Sequence, residues 1–146
     1  MRPDQGSATK SQTSSEAHEV RALLDKFARA ITAGDGAAAA SLWQVPAFVL
    51  GADGAMALSS LAEIQRFYGG SKQQYNDRGV VDTRAEIVDE DHIDDKLVVV
   101  KVRWPYLDAA GNEVGAERSD YTLARDDDSG ELRVRSVLMR GVEPTH

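Results

Sequence analysis

Near residue 80 the apolar residues of this chain stop recurring every three to four positions and begin to alternate. A period near 3.6 marks a helix with one buried stripe, and a period of two marks a strand with one buried face. Each kind of element needs another apolar face to cover its own. A chain with the first pattern in its N-terminal half and the second in its C-terminal half therefore packs helices on a sheet, and does not build alternating βαβ units.

The helical half divides at its caps and breakers. Thr13 and Glu16 have capping-box spacing, and Val20, Leu23, Leu24, Phe27, Ala28 and Ile31 then share one helical face as far as Gly34, a stop. Residues 1–14, rich in Ser, Thr, Gln and Gly, have no such pattern and read as a mobile tail before a single domain at 15–146. Asp35 is placed to cap a short second helix reaching Leu42 and Trp43, which must end before Pro46. A strand at 47–50, a Gly51-Ala52-Asp53-Gly54 turn and a returning strand at 55–58 make a hairpin. Ser60 and Glu63 repeat the capping-box spacing ahead of Leu61, Ile64, Phe67 and Tyr68, with Gly69-Gly70 as the stop. Residues 71–79 are polar and read as a loop. Strands are predicted at 81–89, 97–106, 115–125 and 132–139, joined by Asp-rich turns. The fold class is α+β, an antiparallel sheet packed against three N-terminal helices.

Composition narrows the chemistry. A length of 146 residues suits one domain with its own core, and the absence of cysteine excludes disulfides and thiolate chemistry, which fits a cytoplasmic location. A formal charge of -7 opposes approach to phosphate backbones or anionic lipid, so neither nucleic acid nor membrane is an expected partner. No apolar run nears the roughly 20 residues of a membrane span, and the N-terminus lacks a signal peptide's apolar core. No Gly-rich phosphate loop or metal-ligand spacing is present, so no cofactor and no metal is expected. His18, His92 and His146 fall at a helix start, an acidic turn and the last position, and read as solvated.

The runs Phe27-Ala28-Arg29-Ala30-Ile31-Thr32-Ala33-Gly34-Asp35, Ser41-Leu42-Trp43 and Ile64-Gln65-Arg66-Phe67-Tyr68-Gly69 resemble the helical half of the SnoaL-like and ketosteroid isomerase families. These belong to the nuclear-transport-factor-2-like superfamily. The strands resemble that group in layout, with aromatics at Trp104 and Tyr121, so the likeness spans about residues 20–141. It implies a cone: a curved sheet closed by three helices round a pocket, with the outer sheet face used for homodimerisation. In the isomerases a Tyr on the first helix and an Asp after the first strand carry the chemistry. The ungapped match puts Phe27 and Gly51 there, and these can neither donate a hydrogen bond nor accept a proton. The superfamily hosts isomerases, cyclases, hydrolases, dehydratases and non-catalytic domains, so the fold alone licenses no activity.

Alternation puts Val98, Val100, Val102 and Trp104 on the inner face, with Tyr121 and Leu123, and puts Lys101, Arg103, Asp120 and Thr122 outside. In the last strand a bulge can exchange the inward set, and we place Val137 and Met139 at the pocket mouth. The expected ligand contacts are Phe27, Trp43, Phe48, Tyr68, Trp104, Tyr121 and Met139, and the expected ligand is a small apolar or weakly polar molecule. For Trp43 and Tyr68 a packing role competes with ligand contact, and Trp104 beside Pro105 either closes the mouth or lies at a dimer seam. Lys101, Arg103, Arg133 and Arg135 are expected to pair across strands with acids such as Glu86, Glu117 or Asp120. With no carboxylate assigned to the interior, a binding domain reads ahead of an enzyme. The alternative is a cofactor-independent cyclase, dehydratase or isomerase using a set such as Tyr121 with Asp53 or Arg135; a domain whose filled pocket leaves only dimerisation is a third reading.

Overall fold

The structure, a computed structural model, describes the backbone of residues 2–143 and the side chains of residues 16–143. Helix α1 (Arg2–Ala33) carries the stripe read from the sequence, with Val20, Leu23, Leu24, Phe27, Ala28 and Ile31 all buried. The expected tail at 1–14 and the capping residue Thr13 lie outside the residues whose side chains are described. Glu16 turns to tertiary partners, 3.9 Å from Arg125.

Gly34 ends α1 in the left-handed region, at φ 67°, and Asp35 accepts from the Ala38 amide at 3.0 Å to cap α2 (Gly36–Ala40). This helix is shorter than expected. Trp43 instead opens strand β1 (Trp43–Gly51), because the Leu42 carbonyl accepts from the Val134 amide at 2.8 Å and Trp43 pairs with Val134. The segment before Pro46 is thus committed to the sheet, where the pre-proline restriction is harmless. Strand β2 (Gly54–Leu58) folds back on β1 through the Gly51–Gly54 turn, as expected.

Helix α3 (Leu61–Gly69) begins with the expected cap, the Glu63 amide donating to the Ser60 hydroxyl at 3.2 Å. Its stripe is narrower than predicted: Ile64 is buried, but Leu61 and Phe67 are exposed, since α3 packs chiefly on α2 and only grazes β1 and β2. The segment expected as a loop after Gly70 is a further helix, α4 (Ser71–Asp77). Its sequence has no apolar stripe, so the local signal for a helix is weak. Tertiary anchors supply the rest: the Ser71 hydroxyl donates to the Ile31 carbonyl at 2.7 Å, and the Tyr75 ring lies 5.8 Å from that of Tyr106.

Five strands complete the chain: β3 (Asp82–Thr83), β4 (Glu86–His92), β5 (Leu97–Leu107), β6 (Glu113–Arg125) and β7 (Leu132–Val142). The expected strand at 81–89 is two pieces, parted at Arg84-Ala85, where the Arg21 guanidinium donates to the Ala85 carbonyl at 2.7 and 2.8 Å. The seven-stranded sheet runs β2-β1-β7-β6-β5-β3, with β4 also on β5. Every pairing is antiparallel except β1 with β7, which is parallel and makes the sheet mixed. The expected turn residues are in place, with Asp94, Asp108 and Asp126 each accepting from backbone amides two to four residues on.

Two bulges lie on β7. Leu123 pairs with Val134 and Thr122 with Ser136, so Arg135 is an extra residue; Arg140 is extra in the same way between Met139 and Gly141. The first bulge moves the inward set from Leu132 and Val134 to Val137 and Met139.

At Gly36 backbone meets backbone. A Cβ there would lie 2.2 Å from the Gln65 carbonyl oxygen, so α2 and α3 can pack at this distance only around glycine. Gly36→Ala is expected to cost about 1–3 kcal/mol in denaturant unfolding, the range of overpacked sites. An unchanged midpoint would show that the two helices can separate freely.

Candidate functional site

The chain has four tyrosines, and all of them reach one cavity of about 360 Å³ between the inner sheet face and the helices. Tyr68 comes from α3, Tyr75 from α4, Tyr106 from β5 and Tyr121 from β6. Trp104, Ser119, Val137 and Met139 complete the sheet side, while Ile31, Phe67 and Gln74 close the helix side. Two charged groups line it, Glu117 on β6 and Arg78 just after α4.

The phenols form an ordered array. The Trp104 indole N–H donates to the Tyr121 hydroxyl at 3.1 Å, which occupies one of that oxygen's lone pairs and leaves its own O–H free to donate. Burial pushes the Tyr68 and Tyr121 hydroxyls well above the ordinary phenol range, and pushes Tyr106 up to about 12. All are neutral donors at physiological pH.

Glu117 pairs across the ladder with Trp104 and points inward, on the same side as Ser119 and Tyr121. The Tyr75 hydroxyl donates to its carboxylate at 3.5 Å, and the neighbouring Tyr106 phenol also favours its charged form. Loss of solvent pushes the Glu117 carboxyl above the usual range, and this outweighs the opposing pull of Tyr106, Arg78 and Tyr75. The sequence reading assigns Glu117 to outward ion pairing, and the structure corrects it. The signal is present in the chain: Glu117 stands four residues before Tyr121 on one strand, so a period of two puts both on one face.

Of the expected ligand contacts, Tyr68, Trp104, Tyr121 and Met139 line the cavity. Phe27 and Trp43 stand behind it. The Phe27 ring meets Tyr68, Trp104 and Tyr121 edge-on at 5.2, 5.9 and 5.9 Å, and Trp43 is 5.8 Å from Tyr68. Phe48 is half-exposed on the opposite sheet face, beside Ser136 and Ala57, because it alternates with the buried Ala47 and Val49. Tyr75 and Arg78 escape the sequence reading because the polar run 71–79 reads as a loop; Tyr106 is legible two residues beyond Trp104.

The other expected chemistry is not assembled here. Gly51 and Asp53 border a separate hollow of about 420 Å³ beside the β1–β2 hairpin, lined chiefly by apolar groups such as Val49, Met56 and Phe67. The Arg135 guanidinium donates to the Pro46 carbonyl at 2.7 Å and does not line the cavity. His92, expected to be solvated, is part-buried with Nε2 2.8 Å from Glu90, whereas His18 is exposed and His146 lies outside the described residues. On the outer face Arg103 pairs with Glu86, as expected, and also with Glu113 and Glu143; Arg133 takes Glu131, and Asp120 takes Arg140. Among the described residues no three His, Asp or Glu side chains gather as metal ligands, and no helix is long and apolar enough to cross a membrane.

Helices closing a mixed, mostly antiparallel sheet over an inner cavity define an NTF2-like domain with a cystatin-like fold. The sequence agrees with the architecture: residues 16–141 match the profile of a family described as NTF2-like protein (DUF6841), and the chain belongs to that family. A comparison with curated proteins gives no match. Among solved structures, an NTF2-like protein with a cystatin-like fold from Novosphingobium aromaticivorans superposes with a TM-score of 0.69 at 12% identity, over 94% of this chain and 89% of that one. A domain of unknown function with a cystatin-like fold from Nostoc punctiforme gives 0.68 at 16% identity, over 90% and 79%. Aln2 from a Streptomyces species gives 0.67 at 19% identity, over 87% and 91%. These likenesses concern the fold alone.

Because Glu117 holds its proton more tightly in the folded chain than its ordinary value of about 4.3, its contribution to stability is fully present below that value and is lost as pH rises through the folded pKa. Glu117→Gln removes this dependence. The variant is expected to gain stability relative to the parent chain as pH rises from about 4 towards neutrality. Parallel unfolding curves across that range would show a carboxylate that titrates as it does in water.

Proposed function

We propose that the protein is a small-molecule binding domain whose ligand occupies the tyrosine-lined cavity. The observation that carries this reading is the convergence of four phenols, one carboxylate and one guanidinium on a hollow of about 360 Å³ whose other walls include Trp104, Phe67, Ile31 and Val137. That volume, and that meeting of rings with polar groups that can fix an orientation, are those of small-ligand sites. The isomerase positions, Phe27 and Gly51, have no acid or base to offer.

The test is a screen of neutral, cationic and anionic aromatic fragments by amide NMR. Shifts are expected to cluster at Tyr68, Ser119 and Tyr121, and Ser119→Trp, which fills the hollow from β6, should abolish them in a folded chain. A screen without localised shifts overturns the reading. A second reading, a cofactor-independent acid–base enzyme, draws support from the inward Glu117 beside the free O–H of Tyr121. Exchange of a bound fragment's C–H for deuterium, lost on Glu117→Gln, would carry the protein into that class.

We further propose that the outer sheet face seats a second copy of the chain. Phe48, Leu50 and Leu138 are exposed by 50, 50 and 36% on adjacent strands, and the Asp120–Arg140 pair beside them offers both signs of charge to a two-fold mate. Phe48→Asp should convert a dimer to a monomer in light scattering. A parent chain that is monomeric at high concentration overturns the proposal.

A further inference from the structure

Glu117 differs from the other described glutamates in what neutralises it. Glu16, Glu19, Glu86, Glu90, Glu113, Glu131 and Glu143 each lie within 4.0 Å of an arginine or histidine. Glu63 has no such partner among the described residues, but its carboxylate accepts from the Ser59 and Ser60 hydroxyls at a helix N-terminus, where the dipole favours negative charge. Glu117 is part-buried, and no lysine, arginine or histidine among the described residues lies within 4.0 Å of it. Its hydrogen-bond donor among the described residues, Tyr75, is neutral, as is the nearby Tyr106. A carboxylate offers about four acceptor positions, so room for further donors remains.

The surroundings add to the negative potential. Tyr68, Tyr75, Tyr106, Tyr121 and Trp104 bring five π-systems to one hollow, and aromatic faces carry negative charge density that attracts cations. Arg78 is the opposing influence. It is the exposed charge of the lining, and it acts on Glu117 from beyond ion-pair distance and on Tyr106 as well. It weakens the negative potential without satisfying the carboxylate.

We propose that the ligand selected by the cavity is an organic ammonium, its nitrogen donating to Glu117 and its apolar body held against Trp104, Tyr121 and Tyr68. This rests on the cavity being a ligand site, and it adds the chemical class. The cation supplies the counter-charge that Glu117 lacks, and the rings supply both apolar contact and cation–π attraction. A matched carboxylate ligand would meet Arg78 but would also have to approach Glu117, which lines the same cavity. A neutral isostere would gain the apolar contact alone.

The test uses three ligands of one shape, 2-naphthylmethylammonium, 2-naphthylmethanol and 2-naphthoate, titrated into the full chain and followed by amide NMR and calorimetry at neutral pH. The ammonium is expected to bind tightest. Glu117→Gln, near-isosteric and checked for folding by its melting curve, should weaken the ammonium by roughly tenfold to a hundredfold, the scale of a lost charge-assisted hydrogen bond, while sparing the alcohol. Arg78→Gln should strengthen the ammonium, because it removes a like charge from the lining. If the carboxylate binds best and loses affinity on Arg78→Gln, or if the alcohol binds as tightly as the ammonium, the ammonium proposal is overturned while the cavity still binds ligands. If none of the three binds and the wider fragment screen is also silent, the cavity is not a ligand site and both readings fall together.

Discussion

The ring of Phe27 holds the two halves of this domain together. It is fully buried on α1, and the rings of Trp43, Tyr68, Trp104 and Tyr121 surround it at 5.2 to 6.2 Å, each edge-on. Those four rings come from β1, α3, β5 and β6, so one side chain sets the distance between the long helix, a second helix and three strands. Edge-to-face contacts fix orientation as well as spacing, because the positive edge of one ring seeks the negative face of the next. The cavity is what lies beyond this cluster. Tyr68, Trp104 and Tyr121 each pack on Phe27 and also face the hollow, so the packing centre and the lining share residues. A tyrosine at position 27 would bring a hydroxyl among rings; phenylalanine makes the same position a keystone and moves the polar chemistry outward to β6 and α4.

The second constraint is the edge where β1 meets β7. A parallel pair between strands so distant in sequence requires the chain to cross between them from one edge of the sheet to the other, which it does through α3 and α4 between β2 and β3. The bulge at Arg135 sits in that seam, and its guanidinium is tied to the Pro46 carbonyl on β1. Bulge, seam and arginine together rotate β7 so that Val137 and Met139 turn inward beside Ser119 and Tyr121. Were Arg135 paired in a regular ladder, the pleat would present Leu138 to the cavity and Val137 to the outer face.

Much of this is legible from residues alone, and what is not has identifiable causes. Periodicity locates α1, α3 and strands β5, β6 and β7 because each buries one face, and burial is what periodicity records. The caps at Asp35 and Ser60 and the turns at Asp94, Asp108 and Asp126 are local hydrogen bonds, so local sequence suffices. Helix α4 is not legible, since its stability comes from Ser71 reaching Ile31 and Tyr75 reaching Tyr106, contacts that span the chain. The parallel β1–β7 seam escapes for the same reason. Phe48 is drawn to the pocket by its aromatic character, although the alternation of Ala47, Phe48 and Val49 already turns it the other way. Glu117 shows the opposite error: the period places it inside, and its charge argues it out.

That last case bears on how the cavity obtains its polarity. A fold that buries a carboxylate needs donors to hold it, and this one supplies phenols, which donate without adding charge. Tyr75 comes from α4, whose position depends on a long-range contact, whereas Tyr106 and Glu117 stand on strands that periodicity already locates. The polarity of the cavity is therefore assembled from one element that tertiary contacts place and two that the local pattern places.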